Sequence, residues 1–154
     1  LTPQDIGIVI NTHLHDDHCG NNSLFQKAKF YAHKLELEFC ASPHPIDHRY
    51  DEYFIDGLDF IFLEDGQEVV PGVRVSHSPG HTPGCLSVHV ETGEGLATIT
   101  GFCCNNENFP AHGPAVCPGV HLNAMAAWES IQKVKAMDTV ILPMHEISLT
   151  KFNS

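Results

Sequence analysis

Ile6-Gly7-Ile8-Val9-Ile10-Asn11-Thr12-His13-Leu14-His15-Asp16-Asp17-His18 is the stretch that decides the fold of this chain. Its first half is an apolar, β-branched run, the pattern of a buried strand. Its second half reads H-x-H-D-D-H and places five metal-capable side chains within six residues. Histidine offers a neutral imidazole near neutral pH and aspartate a hard oxygen, and zinc or iron accepts both. On extended backbone His13 and His15 project from the same side. Asp17 and His18 follow where the chain turns away, so they face a neighbouring position. One loop at a strand end thus furnishes donors for two adjacent metal ions.

Working outward, Thr2-Pro3-Gln4-Asp5 reads as the cap and first turn of a helix that feeds this strand. Gly20-Asn21-Asn22 permits a tight turn, with Ser23 capping a short segment. A strand is expected over 29–32 and a helix over 34–41, with Leu35, Leu37 and Phe39 partly buried; Ser42-Pro43-His44-Pro45 ends that helix. Residues 43–57 are polar and aromatic, with helix around 49–54. Strands follow over 59–63 and 69–76, the second interrupted at Pro71-Gly72, and then a hairpin of 86–90 with 96–100. The strongest helix spans 123–137, with Ala127, Ile131 and Val134 on an apolar face to which Met125 and Trp128 are also assigned. A last strand, 139–142, ends at Pro143-Met144-His145. Every metal-capable group follows a strand: residues 13–18, His81 within Ser78-Pro79-Gly80-His81-Thr82-Pro83-Gly84, and His145. Loops mounted on a rigid sheet are where binding groups concentrate.

The 154 residues, 42% of them hydrophobic, suffice for a core and predict a single domain over 1–154. A formal charge of -11, with only eight Lys and Arg in no cluster, argues against a nucleic-acid partner, because a phosphate backbone needs cations to neutralise it. Small or neutral substrates fit that charge better. No apolar run is long enough to span a bilayer, so no membrane partner is expected. Six cysteines without a C-x-x-C pair, in an acidic chain that opens on no signal-like segment, predict free thiols and a cytoplasmic location.

H-x-H-x-D-H after a buried strand, then P-G-H-T-P-G, then a late strand ending in His, resembles the metallo-β-lactamase-fold hydrolase superfamily over essentially the whole chain. Within it, His13 to Asn22 and Ser78 to Gly84 look most like the N-acyl-homoserine lactonase group. The resemblance implies an α+β fold, the αβ/βα sandwich. It implies one metal held by His13, His15 and His81 and a second held by Asp17, His18 and His145. Zinc is the expected ion, with one or two per chain and manganese or iron as substitutes. The implied chemistry is attack of a metal-bound hydroxide on the carbonyl of a small lactone or ester, with Asp17 as catalytic proton acceptor. An N-acyl-homoserine-lactone-like substrate is the leading expectation. A glyoxalase II-like thioester hydrolase is an alternative.

Two departures qualify this. The family commonly places a metal-bridging Asp where this chain reads Thr100-Gly101-Phe102-Cys103-Cys104-Asn105-Asn106-Glu107, so Phe102 stands in its slot. Three outcomes are open: a weak or empty second site, a thiolate from Cys103 or Cys104, or a reach by His121 or Glu107. Cys103 is the best substitute ligand, since thiolate suits zinc. Without a bridge, a metal-binding but inactive protein is the competing expectation. The strands that precede the H-x-H strand in the full fold are also missing, which predicts a homo-oligomer supplying the missing edge, or a trimmed chain. The remaining histidines 33, 44, 48, 77, 89 and 112 are expected to be structural or exposed, and Asp16 either to support a metal ligand from behind or to be solvated.

Overall fold

The apolar run at the amino end forms β1 (Ile8–Ile10), shorter than expected because Ile6 spends its N–H on Pro3 O, closing the 3-10 turn Pro3–Asp5. The structure, a computed structural model, describes residues 1–148; residues 149–154, part of the expected domain span, lie outside the described residues.

Two sheets form. β1 pairs in parallel with β2 (Lys29–His33), and β2 in parallel with β3 (Phe60–Leu63), which leaves β1 at an edge. The second sheet carries β4 (Glu68–Val70), β5 (Val73–His77), β6 (Leu86–Thr92), β7 (Gly95–Ile99) and β8 (Val140–Leu142) in chain order. Its pairs are antiparallel except the last, where β8 runs parallel to β7. Ile10, Tyr31 and Leu63 of the first sheet meet Val75, Leu86 and Val88 of the second, and this contact is the sandwich interior. Leu63, Val75 and Leu86 are at most 1% exposed, each stabilising the fold by about 2 kcal/mol relative to solvent.

Helices cover both outer faces. α1 (Asp16–Cys19) and α2 (Lys34–Ala41) contribute Cys19, Leu37 and Cys40 to a cluster with Leu14 and Phe60 on the first sheet. α3 (Ala124–Lys135) lays Ile131 and Val134 on Cys85, Phe102 and Ile141 of the second. The layers are therefore helix, sheet, sheet, helix, the sandwich that the resemblance implies.

Several local expectations are corrected. The buried stripe of α3 is Ala127, Ser130, Ile131 and Val134, at helical spacing, so Met125 and Trp128 fall outside it, 76% and 46% exposed. Leu35 is exposed, while its neighbour Glu36 is fully buried. Ser23 lies inside the 3-10 turn Asn22–Leu24 rather than capping it; buried Asn22 instead exchanges side-chain hydrogen bonds with Asn11 at 3.0 and 3.2 Å. Residues 49–54 contain only the 3-10 turn Glu52–Phe54, capped by Asp51. Among the described residues, no helix is long and apolar enough to cross a membrane.

Candidate metal centre

β1 ends at Ile10, and the next turns carry His13 and His15 into the interior, both with no exposed surface. The loop after β5 brings in His81, 1% exposed. One ring nitrogen from each of the three lies within 4.8 Å of the others. His13 Nε2, His15 Nδ1 and His18 Nε2 are buried without a hydrogen-bond partner. A buried polar atom left unpaired costs about 1–3 kcal/mol, so convergent orphans of this kind fit an ion that the nitrogens would coordinate.

Neighbouring groups set which nitrogen faces inward. A carboxylate only accepts, so His15 carries its proton on Nε2 and donates to Asp47 Oδ2 at 2.9 Å, freeing Nδ1. His81 donates from Nδ1 to the Val120 carbonyl at 2.8 Å, freeing Nε2. Asp47 is clamped in turn by Arg49, whose Nε donates to Oδ1 at 3.1 Å and whose Nη2 donates to Oδ2 at 3.3 Å. Burial pushes the Asp47 carboxyl up, but the hydrogen bonds and charges of Arg49 and His15 outweigh it and hold the group below the usual carboxylate range.

Burial is the largest cause holding the imidazoles below the ordinary histidine range. It brings His81 down to about 4, and His13 well below its usual value, where the other imidazoles add to the effect. His15 and His18 shift the same way, against the opposing pull of Asp47 and Asp17 respectively. Neutral imidazole is the form that coordinates a metal.

A buried carboxylate locks the two loops together. Glu36, on α2, accepts the Leu14 N–H at 3.0 Å and the Tyr50 hydroxyl on Oε1, and the Thr82 hydroxyl at 2.7 Å and the Gly84 N–H at 3.1 Å on Oε2. It therefore reaches the residue between His13 and His15 and the residue after His81. The glycines of the second loop allow this packing. Gly80 has φ +126° and a Cβ there would sit 2.1 Å from Ala127 N; one on Gly84 would sit 2.3 Å from Glu36 N.

A second group adjoins the first. His13, Asp17 and His18 also bring ligand atoms within 4.8 Å of one another. Asp17 Oδ2 lies 3.4 Å from His18 Nε2 and 4.0 Å from His145 Nε2, and the His18 and His145 rings are 5.5 Å apart. Asp16 is exposed, turned to cap the Asp17 N–H.

The expected substitutes do not join either group. Phe102, 1% exposed, packs among Cys85, Ile131 and Val134. Cys104 Sγ contacts Thr100 Oγ1 at 3.1 Å, and burial pushes its thiol up to about 11. Cys103 is half-buried and its thiol is also raised by burial. Glu107 is exposed on the 3-10 turn Asn106–Asn108. His121 donates from Nδ1 to the Pro118 carbonyl at 2.7 Å and lines a cavity beside His81. Sequence reasoning missed Glu36, Asp47 and Arg49. The available signal was Pro45-Ile46-Asp47-His48-Arg49, an acid and a guanidinium two apart in an otherwise unpatterned stretch.

Comparison with known proteins places the fold and sequence among known relatives. The chain is 36% identical over 115 residues to an N-acyl homoserine lactonase of Bacillus sp, covering 73% of the chain and 44% of that protein. It is 31% identical over 154 residues to the N-acyl homoserine lactonase AiiA of Bacillus thuringiensis subsp. kurstaki, covering 97% of the chain and 59% of that protein. A solved N-acyl homoserine lactone hydrolase, with N-hexanoyl-L-homoserine bound at its catalytic metal centre, superposes with TM-score 0.78 at 29% identity. That match covers 99% of this chain and 60% of the other. The chain thus spans less than two thirds of the length of these relatives. The model of the metallo-beta-lactamase superfamily matches residues 1–141, and the chain, with its two-sheet sandwich and clustered histidines, belongs to that superfamily.

Proposed function

We propose that the chain is a metal-dependent hydrolase of a small lactone or ester, with an N-acyl-homoserine-lactone-like substrate. The observation that carries this is the pair of buried nitrogens without a hydrogen-bond partner on His13 and His15, with a ring nitrogen of His81 in the same 4.8 Å group. His13, His15 and His81 would hold one ion, and Asp17, His18 and His145 a second. Zinc suits three imidazoles, with manganese or iron as substitutes. When bound, such an ion supplies Lewis-acid polarisation of a carbonyl and lowers the pKa of water.

The chain's own residues do the rest. Asp47 and Val120 fix the tautomers of His15 and His81. Asp17, half exposed beside His18, would accept the proton lost by the attacking water. Glu36 keeps the two loops in register, and geometry held this way is what positioning contributes to catalysis.

A second reading, a metal-binding but idle protein, is favoured by one observation: Phe102 lies in the apolar core, and neither Cys103 nor His121 takes the place of a bridge. Lactone turnover with and without added zinc or manganese separates the two. Turnover that requires metal and is abolished by His15→Ala supports the hydrolase. A metal-loaded chain inert toward a panel of lactones, esters and thioesters supports the idle protein.

A homo-oligomer is supported by the edge position of β1 and the apolar cleft of about 380 Å³ beside it, lined by Ile8, Ile10, Val69 and Val88. A cytoplasmic location is supported by six free cysteines.

A further inference from the structure

A cavity of about 240 Å³ opens beside His81, walled by Ile46, Asp47, Arg49, Val120 and His121. Arg49 carries five N–H donors. Two engage Asp47, and among the described residues the other three have no partner. The guanidinium is not free to wander, because the fork on Asp47 holds it and its own carbonyl accepts the Asp16 N–H at 2.9 Å. Asp47 offsets the guanidinium's charge, but both its oxygens already accept hydrogen bonds and the residue is 5% exposed, so of this pair only Arg49 has hydrogen-bonding capacity left over. His121 is also pinned, donating from Nδ1 to Pro118, so its neutral ring offers Nε2 only as an acceptor. In a chain of net charge -11, this is a held set of unused N–H donors on a cavity that His81 of the histidine cluster also lines.

We propose that this cavity is a carboxylate subsite, in which Arg49 takes the carboxylate through its unpaired N–H groups and His121 is a lining residue that makes no hydrogen bond to it. An oriented guanidinium fork suits a planar anion in a partly closed space. The carboxylate has two sources: the acid released when a lactone or ester opens, or a carboxylate carried by the substrate. The source rests on the hydrolase reading above; the anion site itself does not.

The test follows the Arg49 Nε–H and His121 ring signals by NMR in the metal-loaded chain. The probes are 4-hydroxybutyrate, the opened form of γ-butyrolactone, and its neutral amide. The acid is expected to shift both signals saturably and the amide to bind at least roughly tenfold more weakly, the span of one charge-assisted hydrogen bond. Arg49→Gln should abolish the preference, and Arg49→Lys, which keeps the charge, should retain part of it. Equal binding of acid and amide overturns the proposal. So does undiminished binding of the acid by Arg49→Gln, since the carboxylate would then sit elsewhere. These readouts need no turnover, so an inactive chain that still binds the acid refutes the hydrolase reading and not the subsite. In an active chain, relief of product inhibition in Arg49→Gln identifies the released acid. A rise in KM for monomethyl succinate but not methyl butyrate identifies a substrate carboxylate.

Discussion

The backbone N–H of Leu14 donates to the Glu36 carboxylate at 3.0 Å, tying the residue between His13 and His15 to a helix 22 positions further along the chain. Four donors converge on that one buried side chain. Glu36→Gln must turn an amide NH₂ toward at least one of them. The expected loss is about 2–4 kcal/mol, because a charged acceptor is replaced and a donor is stranded. Urea unfolding measures it, and a loss under about 0.5 kcal/mol would show that the carboxylate is not the tie between the loops.

Asp47 acts on metal binding through His15. Asp47→Ala removes the acceptor that fixes the His15 tautomer. Affinity for zinc should fall roughly 10–100-fold, as for other partners of metal-binding histidines. Competition against a chromophoric chelator reads this directly, and an unchanged affinity would rule the orienting role out.

Stability of the metal-free chain should depend on pH in one direction. His13, His15, His18 and His81 have folded-state basicities held below the ordinary 6.5, His81 at about 4. The unfolded chain therefore takes up protons first as pH falls. The stability these groups contribute is complete above about pH 6.5 and is lost progressively toward pH 4. Each such imidazole adds a slope of at most about 1.4 kcal/mol per pH unit, over the part of that window where its unfolded form is protonated and its folded form is not. Urea midpoints at steps between pH 7.5 and 4.5 check it, and a flat or inverse trend contradicts it.

Gly80 admits no side chain. Its φ of +126° disfavours any L-residue, and the added Cβ would overlap Ala127 N on α3. Gly80→Ala should cost about 2–5 kcal/mol, combining strain with overpacking. Calorimetry should show Tm lowered by roughly 5–20 °C; an unshifted Tm would mean that the loop and α3 are not in close contact.

Much of this site was legible because its donors are crowded into short segments. His13, His15, Asp17 and His18 follow a strand whose apolar run is unmistakable, and His81 sits in a glycine- and proline-punctuated loop. The hairpin of β6 with β7 and the helix at 34–41 follow from local patterning of the same kind. Glu36 was not legible, since Lys34-Leu35-Glu36-Leu37-Glu38 reads as a solvated face with either glutamate outward. The donors that turn Glu36 in come from Leu14, Tyr50, Thr82 and Gly84, all distant in sequence. Asp47 and Arg49 lie in a segment without periodicity, where tertiary contacts alone assign a role. Trp128 went wrong because its spacing fits the apolar stripe of α3, yet Ser130 takes a buried place there, bonded to the Pro79 carbonyl.

The central claim is that His13, His15 and His81 form one metal site, with a separable second site at Asp17, His18 and His145. Calorimetric titration of the metal-free chain with zinc tests it most directly. The account predicts a tight event lost in His81→Ala and a weaker event lost in Asp17→Asn but not in His81→Ala. Zinc binding that is unaffected by His81→Ala, or absent from the wild-type chain, would contradict it.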